Sequence, residues 1–256
     1  MQLHACLTIS RMIMNSINYK ERFYRDLSSN PDMRRFNIRT EETDLLVISD
    51  KDIRHELSEE VRRLREIIKN HIRHDPDFYT SLCPVQCRSS EEIISLMCDA
   101  AYMADTGPMA CVAGAIAEVA GRKMLEISDN IFIENGGDIF AMMDRDFKAA
   151  VYAGDSPFSL KIGLMVRRSG SAVGVATSSG TVGHSYSMGN ADAVTVISGS
   201  AAFADAAATS LGNEVEGRID RKRLCERIEK LPCVQGALII KGKEIFAWGD
   251  IEIAEL

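Results

Sequence analysis

Two segments of small apolar residues constrain the fold of this chain more than any other feature. One runs from Val112 to Ala120 and the other from Ala201 to Leu211, and alanine dominates both. A helix that is apolar on nearly all sides has to be buried. Because their side chains are small, such helices also let neighbouring backbone approach closely. The sequence therefore predicts two helices enclosed within a sizeable core, the first of them opening at Gly107-Pro108.

The segments around these two helices predict further helices and several short strands. Apolar residues recur every three or four positions from residue 57 to residue 72, which predicts an amphipathic helix that ends before Pro76. Ser89 and Glu92 have the spacing of a capping box and predict the start of another helix. Compact apolar runs predict strands at 35–39, 45–48, 131–133, 149–152, 160–166, 172–176 and 193–197, and a hairpin at 237–248. The order of these elements predicts one α+β unit.

Charge and hydropathy exclude two classes of partner. The formal net charge is -7, and nucleic-acid binding rests on a basic surface. No apolar run reaches the roughly 18 residues that a membrane span needs. Residues 1–14 lack the basic leader of a secretory signal, so we expect a disordered extension, with Met14 as an alternative start. An odd number of cysteines, 7 in all, predicts reduced thiols and a cytoplasmic location.

The segment from Val175 to Ser185, V-A-T-S-S-G-T-V-G-H-S, is dense in hydroxyls and glycines after a predicted strand. Consecutive backbone N–H groups in such a turn can bind an anion. It is interpreted as a phosphate-binding loop in which His184 donates a hydrogen bond or carries a proton. The alternative is a plain turn whose serines bond their own backbone. The candidate ligand-binding residues here are Ser178, Ser179, Gly180, Thr181 and Gly183.

Asp205 and Thr209 place a carboxylate and a hydroxyl four residues apart, on one face of the second alanine-rich helix. An unpaired carboxylate on a buried helix is costly, and hard oxygen ligands suit Mg²⁺. A metal site is therefore one interpretation of this pair. A helix cap formed by Asp205 is the other, and the sequence does not separate the two.

The segment Glu134 to Asp138, E-N-G-G-D, follows the predicted strand at 131–133. Asn and Asp beside glycines are ordinary hairpin residues. The functional alternative is a loop that lets the backbone touch a ring or a ribose. In that case Asn135, Gly136 and Gly137 contribute to a ligand site.

Two other sites are weaker hypotheses. His71, His74, Cys83 and Cys87 have the residue types of a zinc set, but the histidines lie at the end of an amphipathic helix, where imidazole suits the helix dipole. A serine nucleophile beside His184 lacks the G-x-S-x-G elbow of hydrolases.

Four motifs together resemble one family. They are G-P-M-A-C-V-A-G-A-I-A-E at 107–118, I-E-N-G-G-D at 133–138, T-S-S-G-T-V-G-H-S at 177–185 and A-D-A-A-A-T at 204–209. The set resembles the uncharacterised branch of the ApbE-like superfamily, which occurs in archaea and anaerobic bacteria. The named members of the superfamily are FAD:protein FMN transferases. The similarity extends from Glu21 to Asn213 and includes E-T-D-L at 42–45.

The resemblance implies a duplicated T-fold, in which antiparallel sheets are layered with helices and a ligand cleft lies between two halves of a single domain at 15–256. It also implies FAD or a related nucleotide, with Mg²⁺, as cofactors. The family's metal motif falls on Asp205 and Thr209, and its catalytic histidine on His184. Its glycine pair corresponds to Gly136 and Gly137, and its serine-glycine pair to Ser179 and Gly180.

The chain departs from the flavin transferases at two motifs. Their H-I-I-D-P-x-T-G is replaced by H-S-Y-S-M-G-N-A-D at 184–192, and the lysine of their K-G-Y-x-x-D helix is missing from 112–120. We therefore expect a protein that binds a phosphate-bearing ligand with Mg²⁺, with phosphoryl or flavin transfer as its reaction if it is an enzyme. The alternative implied by the resemblance is an accessory factor in anaerobic sulfur assimilation into homocysteine, with sulfur-assimilation proteins as partners. A homo-oligomer is a further expectation.

Overall fold

A computed structural model describes residues 33–180 and 189–256. The expected extension at 1–14 lies outside them. The strands are β1 (Arg34–Thr40), β2 (Thr43–Ser49), β3 (Ile131–Asn135), β4 (Asp138–Met142), β5 (Phe147–Ala150), β6 (Ile162–Val166), β7 (Val173–Ser178), β8 (Ala193–Ser198), β9 (Gly236–Lys241), β10 (Glu244–Gly249) and β11 (Glu252–Glu255). The helices are α1 (Arg54–His74), α2 (Asp77–Thr80), α3 (Glu92–Ala104), α4 (Val112–Met124), α5 (Ala201–Asn213) and α6 (Arg221–Ile228). A 3-10 turn, Pro108–Cys111, leads into α4.

The strands form two antiparallel sheets. The large sheet has the order β1-β2-β3-β4-β7-β8-β9-β10, and the small sheet has the order β11-β6-β5. Every pairing between named strands is antiparallel. The predicted α+β class, with antiparallel sheets layered with helices, is confirmed. The division into two T-fold halves stays a prediction.

The large sheet is covered on both faces. Successive residues of a strand point to opposite faces, and in β2 both sets are apolar. Leu45 and Val47 pack with the helices, whereas Leu46 and Ile48 pack with the small sheet. This is why β2 is an unbroken apolar run in the sequence rather than an alternating one.

The two alanine-rich helices are buried as the sequence predicts. Eleven residues of α5 are buried, from Ala201 to Gly212 with the exception of Asp205. Glycines bring the layers together: a Cβ on Gly174 of β7 would lie 2.4 Å from the Ala201 nitrogen, and one on Gly121 of α4 would lie 2.2 Å from the Phe140 ring. The helices therefore rest directly on the sheet.

Several predicted element boundaries were wrong. The first alanine-rich helix begins at Val112 rather than at Gly107-Pro108, and the strand predicted at 149–152 spans Phe147–Ala150. The helix α3 begins at Glu92 with Glu91 as its N-cap, and the Ser89 hydroxyl accepts the Glu91 N–H at 3.1 Å. Ser89 therefore makes a local turn, and no capping box forms. Strand β7 continues to Ser178, so the first residues of the predicted phosphate loop belong to the sheet.

The expectation of reduced thiols was wrong for two of the cysteines. A disulfide joins Cys87 to Cys98, with a Cα–Cα distance of 6.2 Å. Cys98 lies on α3, and Cys87 lies on the loop that precedes this helix, so only the folding of the loop brings the two together. The free cysteines of the described chain are Cys83, Cys111, Cys225 and Cys233. None of the helices at 33–180 and 189–256 is long and apolar enough to cross a membrane.

Candidate functional site

The predicted site begins at the hairpin that joins β3 to β4. Gly136 and Gly137 have φ angles of 72° and 115°, which is backbone geometry that favours glycine. Asn135 precedes them, and its Nδ2 donates to the Ala113 carbonyl at 3.0 Å. The hairpin interpretation of this segment is therefore confirmed, and the hairpin is fixed against the first turn of α4.

The end of β7 lies beside this hairpin. A Cβ on Gly137 would lie 3.9 Å from the Thr177 carbonyl oxygen. The next residue, Ser178, is 6% exposed, and its hydroxyl has no hydrogen-bond partner among the described residues. A buried hydroxyl without a partner has a cost, which a ligand oxygen at this position would remove.

Asp205 lies in the second turn of α5 and faces the start of α4. Its Oδ2 accepts the Gly114 N–H at 3.0 Å. Burial raises the pKa of the Asp205 carboxyl to about 7, and the hydrogen bond from Gly114 opposes this shift in part. Asp205 does not cap its own helix, because the N-cap of α5 is Ser200, whose hydroxyl accepts the Phe203 N–H.

Gly114 allows the two helices to come this close. A Cβ at Gly114 would lie 2.4 Å from the Ala201 carbonyl oxygen and 3.0 Å from the Asp205 Cβ. Any larger residue would therefore push α5 away from α4 and lengthen the bond to Asp205.

Thr209 is one turn beyond Asp205, on the same helical face, and is 8% exposed. The direction of α5 follows from its glycine contacts. Gly174 at the start of β7 touches Ala201, while Gly189, which abuts Gly180, touches Gly212 at the far end of the helix. Because α5 runs alongside β7 in this way, Thr209 lies toward the Ser178 end of the strand.

The rest of the predicted loop is placed only in part. The Gly180 N–H donates to the Ala191 carbonyl at 2.9 Å, so in this structure it is engaged by the backbone. Ser179 lies next to it at the end of the described segment. Thr181, Gly183 and His184 lie outside the described residues. The roles assigned to them stay predictions.

The structure adds residues that sequence reasoning missed. Glu118 of α4 is fully buried, at 0% exposure. Its Oε2 accepts the Ser200 hydroxyl at 2.7 Å and the Ala202 N–H at 3.0 Å. A single carboxylate within the apolar run from Val112 to Ala120 was the signal that could have identified it.

Three carboxylates act on the buried thiol of Cys111, just before the start of α4. The pKa of the Cys111 thiol is raised well above its usual value, first by burial and then by Asp205, Glu118 and Asp138. The charges of Asp205, Glu118 and Asp138 therefore disfavour the thiolate form of Cys111. An anionic ligand would meet repulsion here unless a cation accompanied it.

The residues present fit Mg²⁺ that is held in part by water and ligand phosphates. They do not fit a metal whose ligands all come from protein side chains. In the described parts of the chain there is no group of three or more His, Cys, Asp or Glu side chains that could hold a metal. Mg²⁺ commonly binds through one or two carboxylates together with water and ligand phosphates, which Asp205 and Thr209 could satisfy. The zinc hypothesis was wrong, because Cys87 is bonded to Cys98 and the His74 Nδ1 pairs with the Asn70 carbonyl.

Sequence comparisons identify relatives that match most of the chain. The profile of the AbpE bacteria family matches residues 27–230. A UPF0280 protein of Methanococcus maripaludis strain C7 is 40% identical over 190 residues, which cover 72% of this chain and 77% of the relative. A UPF0280 protein of Archaeoglobus fulgidus is 35% identical over 226 residues, which cover 86% of this chain and 93% of the relative.

Structure comparisons match the fold at low sequence identity. The apo form of the Pseudomonas stutzeri flavinyl transferase ApbE gives a TM-score of 0.55 at 15% identity, covering 84% of this chain and 93% of that one. The ApbE protein of Thermotoga maritima gives a TM-score of 0.51 at 13% identity, covering 84% of this chain and 96% of that one. At this identity the likeness shows that the architecture is shared.

Proposed function

Since the chain belongs to the AbpE bacteria family, we propose that it binds a flavin nucleotide or another phosphate-bearing ligand through Mg²⁺. The site lies where the β3–β4 hairpin, the start of α4, the end of β7 and α5 meet. The observation that carries this proposal is Asp205: a carboxylate on a buried helix, with a pKa raised to about 7, that does not cap its own helix. A bound cation would stabilise its charged form.

Each described residue has a definite task in this proposal. Asp205 and Thr209 would hold the cation. The Ser178 hydroxyl would donate to a ligand oxygen, and the Gly136–Gly137 turn would let the backbone lie close to the ligand. Asn135 would fix the hairpin through its bond to Ala113. When bound, Mg²⁺ would neutralise phosphate charge and make phosphorus more open to attack.

Transfer chemistry is the finer part of the proposal. The solved proteins that share this fold include the flavinyl transferase ApbE of Pseudomonas stutzeri and the ApbE protein of Thermotoga maritima. In this chain His184 would move the proton that a transfer reaction requires. The missing lysine and the altered segment at 184–192 make binding the first property to test. The role in sulfur assimilation, a cytoplasmic location and a homo-oligomeric state remain predictions.

Calorimetry with FAD and with ADP, each in Mg²⁺ and in EDTA, tests the proposal. We expect binding that is at least tenfold tighter with Mg²⁺, because the cation offsets the carboxylates around the site. Asp205→Asn should abolish this Mg²⁺ dependence. Lys123→Gln is the control, because Lys123 is exposed near the end of α4 and pairs with Glu126 just beyond the helix. Failure of both nucleotides to bind the wild-type protein would refute the proposal.

A further inference from the structure

Each of the helices α4 and α5 provides a carboxylate that accepts a backbone N–H near the start of the other helix. Asp205 of α5 accepts the Gly114 N–H of α4. In return, Glu118 of α4 accepts the Ala202 N–H of α5 and the hydroxyl of its N-cap, Ser200. Amides at a helix start lack partners within their own helix and favour negative charge. The two contacts therefore hold the helices in one fixed relation.

The two carboxylates differ in how firmly they are held. Glu118 is fully buried, accepts two hydrogen bonds, and pairs with Arg122, which also lies 3.7 Å from Glu92. Asp205 is only partly buried, and the one hydrogen bond resolved for it in the described chain is that from Gly114. Glu118 is thus the more firmly held of the two carboxylates.

Stability alone does not account for Glu118. The start of α5 already has an N-cap in Ser200. The ion pair with the half-exposed Arg122 is weak grounds for stability, because desolvation of the buried Glu118 carboxylate offsets much of the Coulomb attraction. A buried carboxylate that adds a second contact to a capped helix is better explained by the geometry that it imposes.

We propose that Glu118 is a positioning residue for the ligand site. It holds α5 in place so that the Asp205 carboxylate, one oxygen of which accepts the Gly114 N–H, would present its other oxygen to the cation. Without Glu118, α5 shifts and Asp205 loses its alignment. This inference rests on the proposed function, because it concerns a cation held at Asp205.

Two substitutions of Glu118 separate the effect of the carboxylate's position from the effect of its charge. Glu118→Asp keeps the negative charge but is one methylene shorter, which withdraws the carboxylate from the Ala202 N–H. Glu118→Gln keeps the length but removes the charge. We expect both variants to bind Mn²⁺, measured alone by electron paramagnetic resonance, at least tenfold more weakly than the wild-type protein.

Ser200→Ala is the control for a merely structural role. It removes the N-cap hydroxyl but leaves the bond from Glu118 to the Ala202 N–H. The variant should unfold at a lower temperature and still bind Mn²⁺ within twofold of wild type. If Glu118→Asp also binds Mn²⁺ within twofold of wild type, the positioning role is overturned.

Hydrogen exchange of the Gly114 amide gives a second measurement that needs no ligand. Because the hydrogen bond to Asp205 protects this amide, we expect it to exchange at least tenfold faster in Glu118→Asp than in the wild-type protein. The exchange rate of the Val47 amide in β2 should be unchanged. Wild-type protein that binds neither FAD nor ADP overturns the proposed function, whereas an unchanged Gly114 exchange rate in Glu118→Asp overturns the positioning role by itself. Should Glu118→Asp not fold, the same measurement on Glu118→Gln decides it, and an unchanged rate refutes the inference.

Discussion

At the scale of single residues, Asp205 shows a conflict between stability and function. Its carboxyl is held in surroundings that raise its pKa to about 7, so the charged form is disfavoured in the folded protein. The folded protein would be more stable with a neutral residue at position 205. Retaining a carboxylate here is the behaviour expected of a ligand-binding group.

The raised pKa of Asp205 predicts a pH-dependent effect of Asp205→Asn. Between the ordinary pKa of 3.8 and the folded value of about 7, the folded protein binds more protons at this group than the unfolded chain, so its contribution to stability falls as pH rises. The cost is complete above pH 7 and absent below pH 3.8. The variant, which keeps an acceptor for Gly114, should therefore be more stable at pH 8, by up to about 4 kcal/mol, and similar to wild type near pH 4.

Urea unfolding in EDTA at both pH values measures this difference. EDTA removes any contribution from a bound cation. A variant that is less stable than wild type at pH 8 would show that the Asp205 charge is not disfavoured in the folded state.

At the scale of elements, the contact of α4 with α5 depends on one glycine. Alanine is a better helix former than glycine by about 1 kcal/mol, so propensity alone favours Gly114→Ala. The 2.4 Å approach of the added Cβ to the Ala201 carbonyl oxygen opposes it, and overpacking of a core typically costs 1–3 kcal/mol. Backbone atoms cannot move aside as a flexible side chain can, so the clash should prevail.

We therefore predict that Gly114→Ala lowers the free energy of unfolding by roughly 1–3 kcal/mol and weakens Mn²⁺ binding. Gly199→Ala is the matched control, since the nearest atom to its added Cβ would be 4.0 Å away. The control should unfold at the wild-type denaturant concentration. Equal free energies of unfolding for the two variants would contradict the close approach of Gly114 to the Ala201 carbonyl.

At the scale of the whole molecule, the large sheet is enclosed by helices on one face and by the small sheet on the other. Leu45 and Leu46 are 0% and 2% exposed, although they point to opposite faces. In a sheet with one solvated face, one of two adjacent strand residues is exposed. Burial of both is a direct consequence of three layers.

Leu45→Ala and Leu46→Ala should therefore destabilise the protein alike, by about 2–5 kcal/mol each, because each leaves a cavity in a separate core. Arg39→Ala, on the exposed side of β1, serves as the control and should be near neutral. Chemical denaturation of the three variants measures the effect. A near-neutral Leu46→Ala would mean that the small sheet does not cover this face.

The sequence alone determined the class of the fold and the buried character of α4 and α5, because periodicity and residue size act locally. It also indicated the hairpin at Gly136–Gly137, since turn chemistry is local too. Asp205 and Thr209 could be selected as a pair because their spacing places them on one helical face.

Only the tertiary structure decided what Asp205 contacts and why Glu118 and Gly114 occupy their positions. Gly114 and Asp205 are 91 residues apart in the chain, and the crossing of two helices is set by the packing of the layers around them. The same holds for the disulfide between Cys87 and Cys98, because the path of a loop depends on what it packs against. Spacing in the sequence gives the face of a helix, but only the assembled core gives its neighbour.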